Sequence, residues 1–335
     1  MIPTYNRAEC LDLNLKHLVD QMSQVLSSKI EVIISDNCSS DHTKDIMKKY
    51  ENYSFITYLE ATENCGADLN FLKLINISTG KFAWIFGDDE VLFDNGLEKI
   101  INILEQNGDV GLVHITQHGH FKLDMFNSKE PHAEPVIEKF EDSNLFLEKV
   151  SVNLSFITSN IFNQSLVDSK AVDQMLFSKS FLNQQTFYLQ AALKAKKNIF
   201  ITGYIFSQLI NNTGGYGLFE IFATNQQEIF RYFMQFGLEN KTIHKINKDM
   251  LRKFFPPFIL MEGQKSEANN IERFKFEKSF QILFNNFKGY LSFWIFCMPL
   301  FVLPSGLRLR GFNLVRKVKL LVKNKQINGI NSHKC

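Results

Sequence analysis

The sequence has little that would staple, thread or export it. Its five cysteines (Cys10, Cys38, Cys65, Cys297 and Cys335) are odd in number and scattered, with no CxxC pair among them. That argues against a disulfide framework and a cysteine-based zinc site, and makes a reducing compartment the expected setting. There is no internal repeat and no long low-complexity tract. The opening MIPTYNRAEC has no basic segment followed by an apolar core, so no secretory signal is read there. The apolar run Tyr290–Leu303 is 14 residues long and broken by Pro299, whereas crossing a bilayer takes roughly 20 such residues. What remains is an ordinary globular composition over 335 residues, 45% hydrophobic and 21% charged. This is too apolar for disorder and long enough for about two domains.

The net charge of +2 conceals an asymmetry. Residues 271–335 hold 12 bases against 2 acids, and the first 270 hold 25 bases against 33 acids. A mildly acidic body with a strongly basic end points to an anionic surface, membrane or nucleic acid.

The first third alternates helix and strand signals. Leu11, Leu15, Leu18, Met22 and Val25 recur at helical spacing. Glu31–Ser35 is a short β-branched run, and Ser40 with Asp41 opens a helix reaching about Tyr50. Phe55–Leu59 reads as a strand, and Asp68 can cap a helix carrying Leu69, Leu72 and Ile75. Phe82–Phe86 is an apolar strand running into Gly87-Asp88-Asp89-Glu90, followed by a helix over 95–106 and a strand over Val110–Thr116. Such alternation predicts an α/β fold with a mainly parallel sheet flanked by helices, whose ligands bind beyond the carboxyl ends of the strands. Asp36 and Asp88–Glu90 fall at that edge.

Residues 117–140 read as a surface loop. Helix 142–150, strand Ser155–Phe162, helix 182–196 and strand Asn198–Ser207 follow, then a glycine-bearing loop over 211–217 and a helical, Phe-rich stretch over 219–288. The expected organisation is 1–116 and 117–215 as two halves of one α/β domain, 216–289 as a helical extension, and 290–335 as an apolar and basic tail.

Three adjacent carboxylates repel one another, and a divalent cation removes that repulsion. Asp88-Asp89-Glu90 therefore reads either as a metal site or as a solvated turn, and its place after a buried strand favours metal. Asp36 could accept hydrogen bonds from a base or ribose, or serve a helix start beside Ser39 and Ser40. Cys65-Gly66-Ala67-Asp68 could be an approach loop to phosphate or a plain turn. His114, His118 and His120 alternate along a strand and read as surface residues rather than a metal cluster.

Ile2-Pro3-Thr4-Tyr5-Asn6-Arg7, Glu31–Asp41, Gly66–Asn70 and Phe86–Glu90 occur in order. Together they resemble the family 2 glycosyltransferases of the GT-A fold, and within them the abequosyltransferase-like enzymes of O-antigen and surface-polysaccharide assembly. The resemblance covers residues 1–116, thins over 140–215 and stops there. It implies that Pro3, Thr4, Tyr5, Asn6 and Arg7 flank a nucleotide-sugar donor and that Asp36 binds base or ribose. Asp68 would lie near the donor and Asp88 would face ribose and sugar, while Asp89 and Glu90 would hold Mg²⁺ or Mn²⁺ on the diphosphate.

The sequence departs from that pattern in four places. The first strand is expected to begin several apolar residues ahead of Ile2, so either the true start lies upstream of Met1 or a central strand is curtailed, and the former is the expectation. Position 69 is Leu where many relatives carry Arg. The third acid is Glu90 rather than Asp. The family's acid pair before a helix in the second half corresponds here to Phe181-Leu-Asn-Gln-Gln-Thr186, which has no carboxylate. The catalytic base is therefore unassigned: Asp168 and Asp173 lie upstream as candidate substitutes, and read as ordinary surface acids in preference to that role.

In the tail, Arg308, Arg310, Arg316, Lys317, Lys319, Lys323 and Lys325 surround an apolar stripe of Leu314, Val315, Val318, Leu321 and Val322. An interfacial anchor over residues 290–325 on anionic lipid fits both halves, ahead of a core role for 290–303 and ahead of nucleic acid. The expectation is a cytoplasmic, metal-dependent glycosyltransferase, peripheral on the inner face of the membrane and acting on a lipid-linked glycan. A catalytically inactive binding protein is the alternative. A sugar-nucleotide nucleotidyltransferase is disfavoured because Pro3-Thr4-Tyr5-Asn6 stands where a Gly-rich basic loop would grip a triphosphate.

Overall fold

The computed structural model describes residues 1–310 apart from 23, 121–125, 130–133, 169–171, 174, 210–216, 267–269, 305 and 309. The loop over 211–216 and the bases Arg316, Lys317, Lys319, Lys323 and Lys325 lie outside the described residues, as does the apolar stripe between those bases. The chain divides into two compact units, Met1–Gly217 with Asn225–Lys245, and Leu218–Thr224 with the residues from Ile246 onward.

The first unit opens as the alternation predicts. Strand β1 (Ile2–Thr4), helix α1 (Ala8–Asp20), a short helix α2 (Gln24–Ser27), β2 (Val32–Asp36), α3 (Thr43–Lys48) and β3 (Ile56–Glu60) follow in turn. The first sheet runs β1-β2-β3, parallel throughout, with Thr4 opposite Asp36 and Asp36 opposite Glu60. Leu11, Leu15 and Leu18 are buried on one face of α1, each contributing roughly 1.5–3 kcal/mol over exposure. Asp41 bonds the backbone N–H groups of Ala8 and Thr43 and so secures the starts of both α1 and α3.

Then come α4 (Ala67–Ile77), β4 (Phe82–Trp84), β5 (Glu90–Leu92), α5 (Gly96–Gln106), β6 (Leu112–Ile115), β7 (His118–His120), β8 (Val136–Phe140), α6 (Ser143–Val150), β9 (Asn160–Asn163), α7 (Gln184–Lys194), β10 (Asn198–Thr202) and β11 (Phe206–Leu209). The second sheet has the order β4-β9-β6-β10-β8 and is mixed: β6 and β10 run parallel, while β9 runs against both β4 and β6. A small third sheet joins β5-β11-β7. The Met1 ammonium donates to the Trp84 carbonyl at 2.9 Å, and the Phe86 N–H donates to the Met1 carbonyl at 2.8 Å. Backbone contact of β1 with the end of β4 thus brings the first two sheets together.

Three expectations change. Residues 117–140 are not all loop, because β7 and β8 form there against β11 and β10. The strand predicted over Asn198–Ser207 is two strands, broken around Gly203 and Tyr204. His114 is not a surface residue: it is fully buried in β6, its Nδ1 is 2.9 Å from Asn160 Oδ1, and its ring packs against Phe200. His118 stacks on Tyr204 at 3.6 Å.

The second unit is helical in its described residues, with helices Phe255–Lys265, Asn270–Phe287 and Met298–Val302 among its elements. Phe255, Phe287, Phe293 and Cys297 are fully buried within it.

Candidate functional site

The carboxyl ends of β1, β2 and β4 meet at one edge. Thr4 ends β1, Asp36 ends β2, and Gly87-Asp88-Asp89 follows β4. Asp88 is 4% exposed. Its Oδ2 accepts from the Thr4 hydroxyl at 2.8 Å, and its Oδ1 accepts from Arg7 Nη1 at 2.9 Å. The same guanidinium nitrogen lies 3.5 Å from Asp89 Oδ2. Burial pushes the Asp88 carboxyl up to about 6, with Asp89 adding to the rise and Arg7 opposing it. One cation therefore stands between two neighbouring carboxylates.

The acidic loop is held from both sides by residues that sequence reasoning missed. Asn14, buried on α1, donates through Nδ2 to the Gly87 and Glu90 carbonyls, both at 2.8 Å. Thr158 accepts from the Gly87 N–H at 2.7 Å and bonds to the Glu90 side chain. Asn14 stands three positions from Leu11 within the apolar stripe of α1, and a polar residue on a buried face was the available signal. Thr158 offered none.

The structure sets Glu90 apart from Asp89. Glu90 starts β5 and is buried beside Thr158 and Tyr188, and its Oε2 is buried without a hydrogen-bond partner. Desolvation pushes its carboxyl up to about 8, raised further by the charges of Asp89 and Asp88. Glu90 thus sits in the interior, 8% exposed, whereas its neighbour is partly open. Asp89 keeps part of its side chain at the surface. Among the described residues no group of three or more His, Cys, Asp or Glu is placed to hold a metal ion. The residues still fit a cation shared with a substrate, because Mg²⁺ is commonly held by one or two carboxylates plus phosphate oxygens. Asp89 is the carboxylate suited to that.

Around this pair the loops are bound to one another. Pro3 lies in β1 opposite Ser35. Tyr5 is 44% exposed at the end of β1. Asn6 adopts φ 52°, accepts from the Ser40 N–H at 2.7 Å, and donates its own N–H to Ser39 Oγ at 2.8 Å. Asp36 is buried, its Oδ1 accepting from the Ser39 N–H at 2.9 Å and its Oδ2 from the Tyr58 hydroxyl at 2.7 Å. Asn37 extends the network to Asn64 and Cys65, ahead of Gly66 at φ 85°, a conformation that favours glycine.

Asp68 does not cap α4 as its place in the sequence suggested. Gly66 occupies the cap position of α4. The buried Asp68 carboxylate accepts instead from the Phe181 N–H at 2.7 Å and the Asn183 N–H at 3.3 Å. Desolvation raises its pKa against these hydrogen bonds. The stretch 181–186, which has no acid of its own, thus receives a carboxylate from α4, and that carboxylate ties down the entry to α7.

Asp168 follows β9, whose Asn163 pairs with Phe82 at the start of β4, the end opposite Asp88. Asp173 is exposed and closes a turn by accepting from the Met175 N–H at 2.8 Å. A cavity of about 810 Å³ also lies at the opposite, amino-terminal edge, lined largely by apolar side chains such as Ile2, Val32, Leu97 and Ile100. It contains none of the residues named above as site candidates.

Residues 1–161 match the family model described as glycosyl transferase family 2. Over 133 residues the chain is 34% identical to abequosyltransferase RfbV of Salmonella typhimurium, covering 39% of this chain and 38% of that protein. Over 105 residues it is 29% identical to the putative teichuronic acid biosynthesis glycosyltransferase TuaG of Bacillus subtilis, covering 30% of this chain and 39% of that one. The matched segments span under two-fifths of these curated relatives. Among solved structures, S. aureus TarS 1–349 in complex with UDP-GlcNAc aligns with a TM-score of 0.58 at 17% identity, covering 86% of this chain and 81% of that one. A mannosyltransferase from Pyrobaculum calidifontis, PcManGT in complex with GDP-Man and Mn²⁺, aligns with a TM-score of 0.50 at 15% identity, covering 73% and 66%. The likeness to solved structures establishes a shared fold, in agreement with the GT-A class expected from the sequence.

Proposed function

We propose that this chain, whose residues 1–161 match the model of glycosyl transferase family 2, moves a sugar from a nucleotide-diphosphate donor onto a surface glycan. The observation that carries the reading is the pair Asp88 and Asp89 at the carboxyl edge of the strands, with Asp88 fixed by Thr4 and Arg7 and Asp89 reaching solvent. In open α/β sheets that edge is where ligands bind.

Each group then has a chemical task. Asp88 cannot turn away from its two partners, so it presents a fixed acceptor to donor hydroxyls. Tyr5 offers an exposed ring beside the loops that tie Asn6 to Ser39 and Ser40. Arg7 supplies positive charge next to the position of the diphosphate. Asp89, with the donor's phosphates, would hold Mg²⁺ or Mn²⁺, and that ion supplies charge stabilisation where the leaving oxygen becomes negative. Asn14 and Thr158 keep the loop from shifting as the ligand binds.

The proposed setting is the inner face of the cell membrane, with a lipid-linked glycan as acceptor. The basic carboxyl-terminal segment supports it. Among the described residues no helix is long and apolar enough to cross a membrane. A second reading, a binding protein without turnover, draws on the absence of an acid within Phe181–Thr186.

Calorimetric titration of UDP-, GDP-, CDP- and dTDP-sugars, with and without Mn²⁺, tests the proposal. The expected result is metal-dependent binding of one class, abolished in Asp89→Ala while the fold persists. Metal-independent or absent binding of all four would overturn it. Binding without donor hydrolysis or transfer would favour the second reading.

A further inference from the structure

The helix running through residues 291–302 carries two apolar stripes. Phe293, Cys297 and Leu300 are buried in the second unit. On the remaining surface Leu291 is 73% exposed, Trp294 44%, Ile295 54% and Val302 63%. Single apolar residues on a surface are ordinary, but a run of large ones along one helix marks a contact surface.

Bases border this stripe toward both of its ends. The Lys288 ammonium lies 5.7 Å from the Phe284 ring, which meets Trp294 edge-on at 6.1 Å. The Trp294 indole N–H donates to the Lys288 carbonyl at 2.8 Å. At the other end, the Arg308 guanidinium lies 5.0 Å from the Phe276 ring, which packs on Phe301 at 4.9 Å. No Asp or Glu follows Glu277 in the sequence. A partner protein would have to match an apolar stripe with bases near its ends, whereas an anionic bilayer supplies acyl chains and phosphates together. Tryptophan also favours the boundary between apolar and wet layers.

We propose that Leu291, Trp294, Ile295 and Val302 form a face that inserts into the headgroup–acyl boundary of an anionic membrane, with Lys288 set against lipid phosphates. The proposal rests on the membrane reading above and adds the residues and mode of contact: the helix lies in the interface.

The chain has two tryptophans, so Trp84→Phe in the full-length protein leaves Trp294 as the sole emitter. If that variant fails to fold, the difference spectrum between the native protein and Trp294→Phe reports the same signal. With phosphatidylglycerol/phosphatidylcholine vesicles, Trp294 emission should shift to the blue and be quenched by lipids brominated near the headgroup. Leu291→Asp with Ile295→Asp should weaken partitioning by at least about tenfold, since each large apolar side chain withdrawn from lipid forfeits on the order of a decade. Donor binding should be unchanged in that variant. Sedimentation with vesicles without any change in Trp294 emission overturns the insertion face and leaves the membrane reading standing. No sedimentation overturns both. A blue shift produced by concentrating the protein without lipid assigns the face to a second copy and also overturns the proposal.

Discussion

Asn14→Ala removes both hydrogen bonds that hold the acidic loop to α1. The Gly87 and Glu90 carbonyls each accept from Asn14 Nδ2 at 2.8 Å in a buried setting. Leaving a buried acceptor unsatisfied costs about 1–3 kcal/mol. The Asn14 side-chain oxygen has no hydrogen-bond partner, so its removal returns part of that loss. The net destabilisation of the first unit should be about 2–4 kcal/mol. Re-imposing the loop geometry on binding should cost about one of these bonds, or roughly a tenfold weaker donor affinity. Urea unfolding followed through Trp84 in a Trp294→Phe background reads the first number, and calorimetric titration of the donor reads the second. Asn14→Asp is the sharper control, because it keeps the size, deletes the donors and adds negative charge next to carbonyls, and it should be worse than alanine. Stability within about 0.5 kcal/mol of the parent, with unchanged donor affinity, would refute the view that α1 organises this loop.

Three further outcomes are expected. Asp68→Asn replaces one of the two acceptors facing the Phe181 and Asn183 N–H groups with a donor, and should lower stability by about 1–3 kcal/mol, read by urea titration, with faster amide exchange at the start of α7. The folded pKa of His114 is lowered to about 4 by burial, below an unfolded value of about 6.5. Between these values the unfolded chain binds the extra proton, so stability present above about pH 6.5 falls by about 3 kcal/mol as the pH approaches 4; His114→Gln should flatten that slope in pH-dependent unfolding. A methyl group on Gly111 would collide with the Ala191 carbonyl and Ala195 Cβ in α7 and the turn after it. Gly111→Ala should therefore cost about 1–3 kcal/mol or more, visible as a lower Tm.

Local pattern made much of the first sheet legible. Leu11, Leu15 and Leu18 announce α1 by their spacing, and Val32–Ser35 announces β2 by β-branching, because both elements bury a face set by neighbours in the chain. Asp36 and Asp88 could be placed at one edge because parallel strands bring their carboxyl ends together whatever lies between them. The strands β5, β7 and β8 escaped notice for the opposite reason. They are short and are completed by β11 and β10, elements about 60–120 residues away. The reading of His114 as a surface residue failed likewise, since its burial depends on β9 and β10 closing over β6.

The sequence by itself determined that acids would gather where strands end, because strand periodicity and the order of elements are properties of adjacent residues. Which acid does what was decided by the folded chain alone. Asp88 and Asp89 share Arg7, Glu90 is buried beside Thr158, and Asp68 serves a segment more than a hundred positions away. Charge, burial and hydrogen-bond partners belong to the surroundings of a carboxylate, and only the tertiary structure supplies those surroundings.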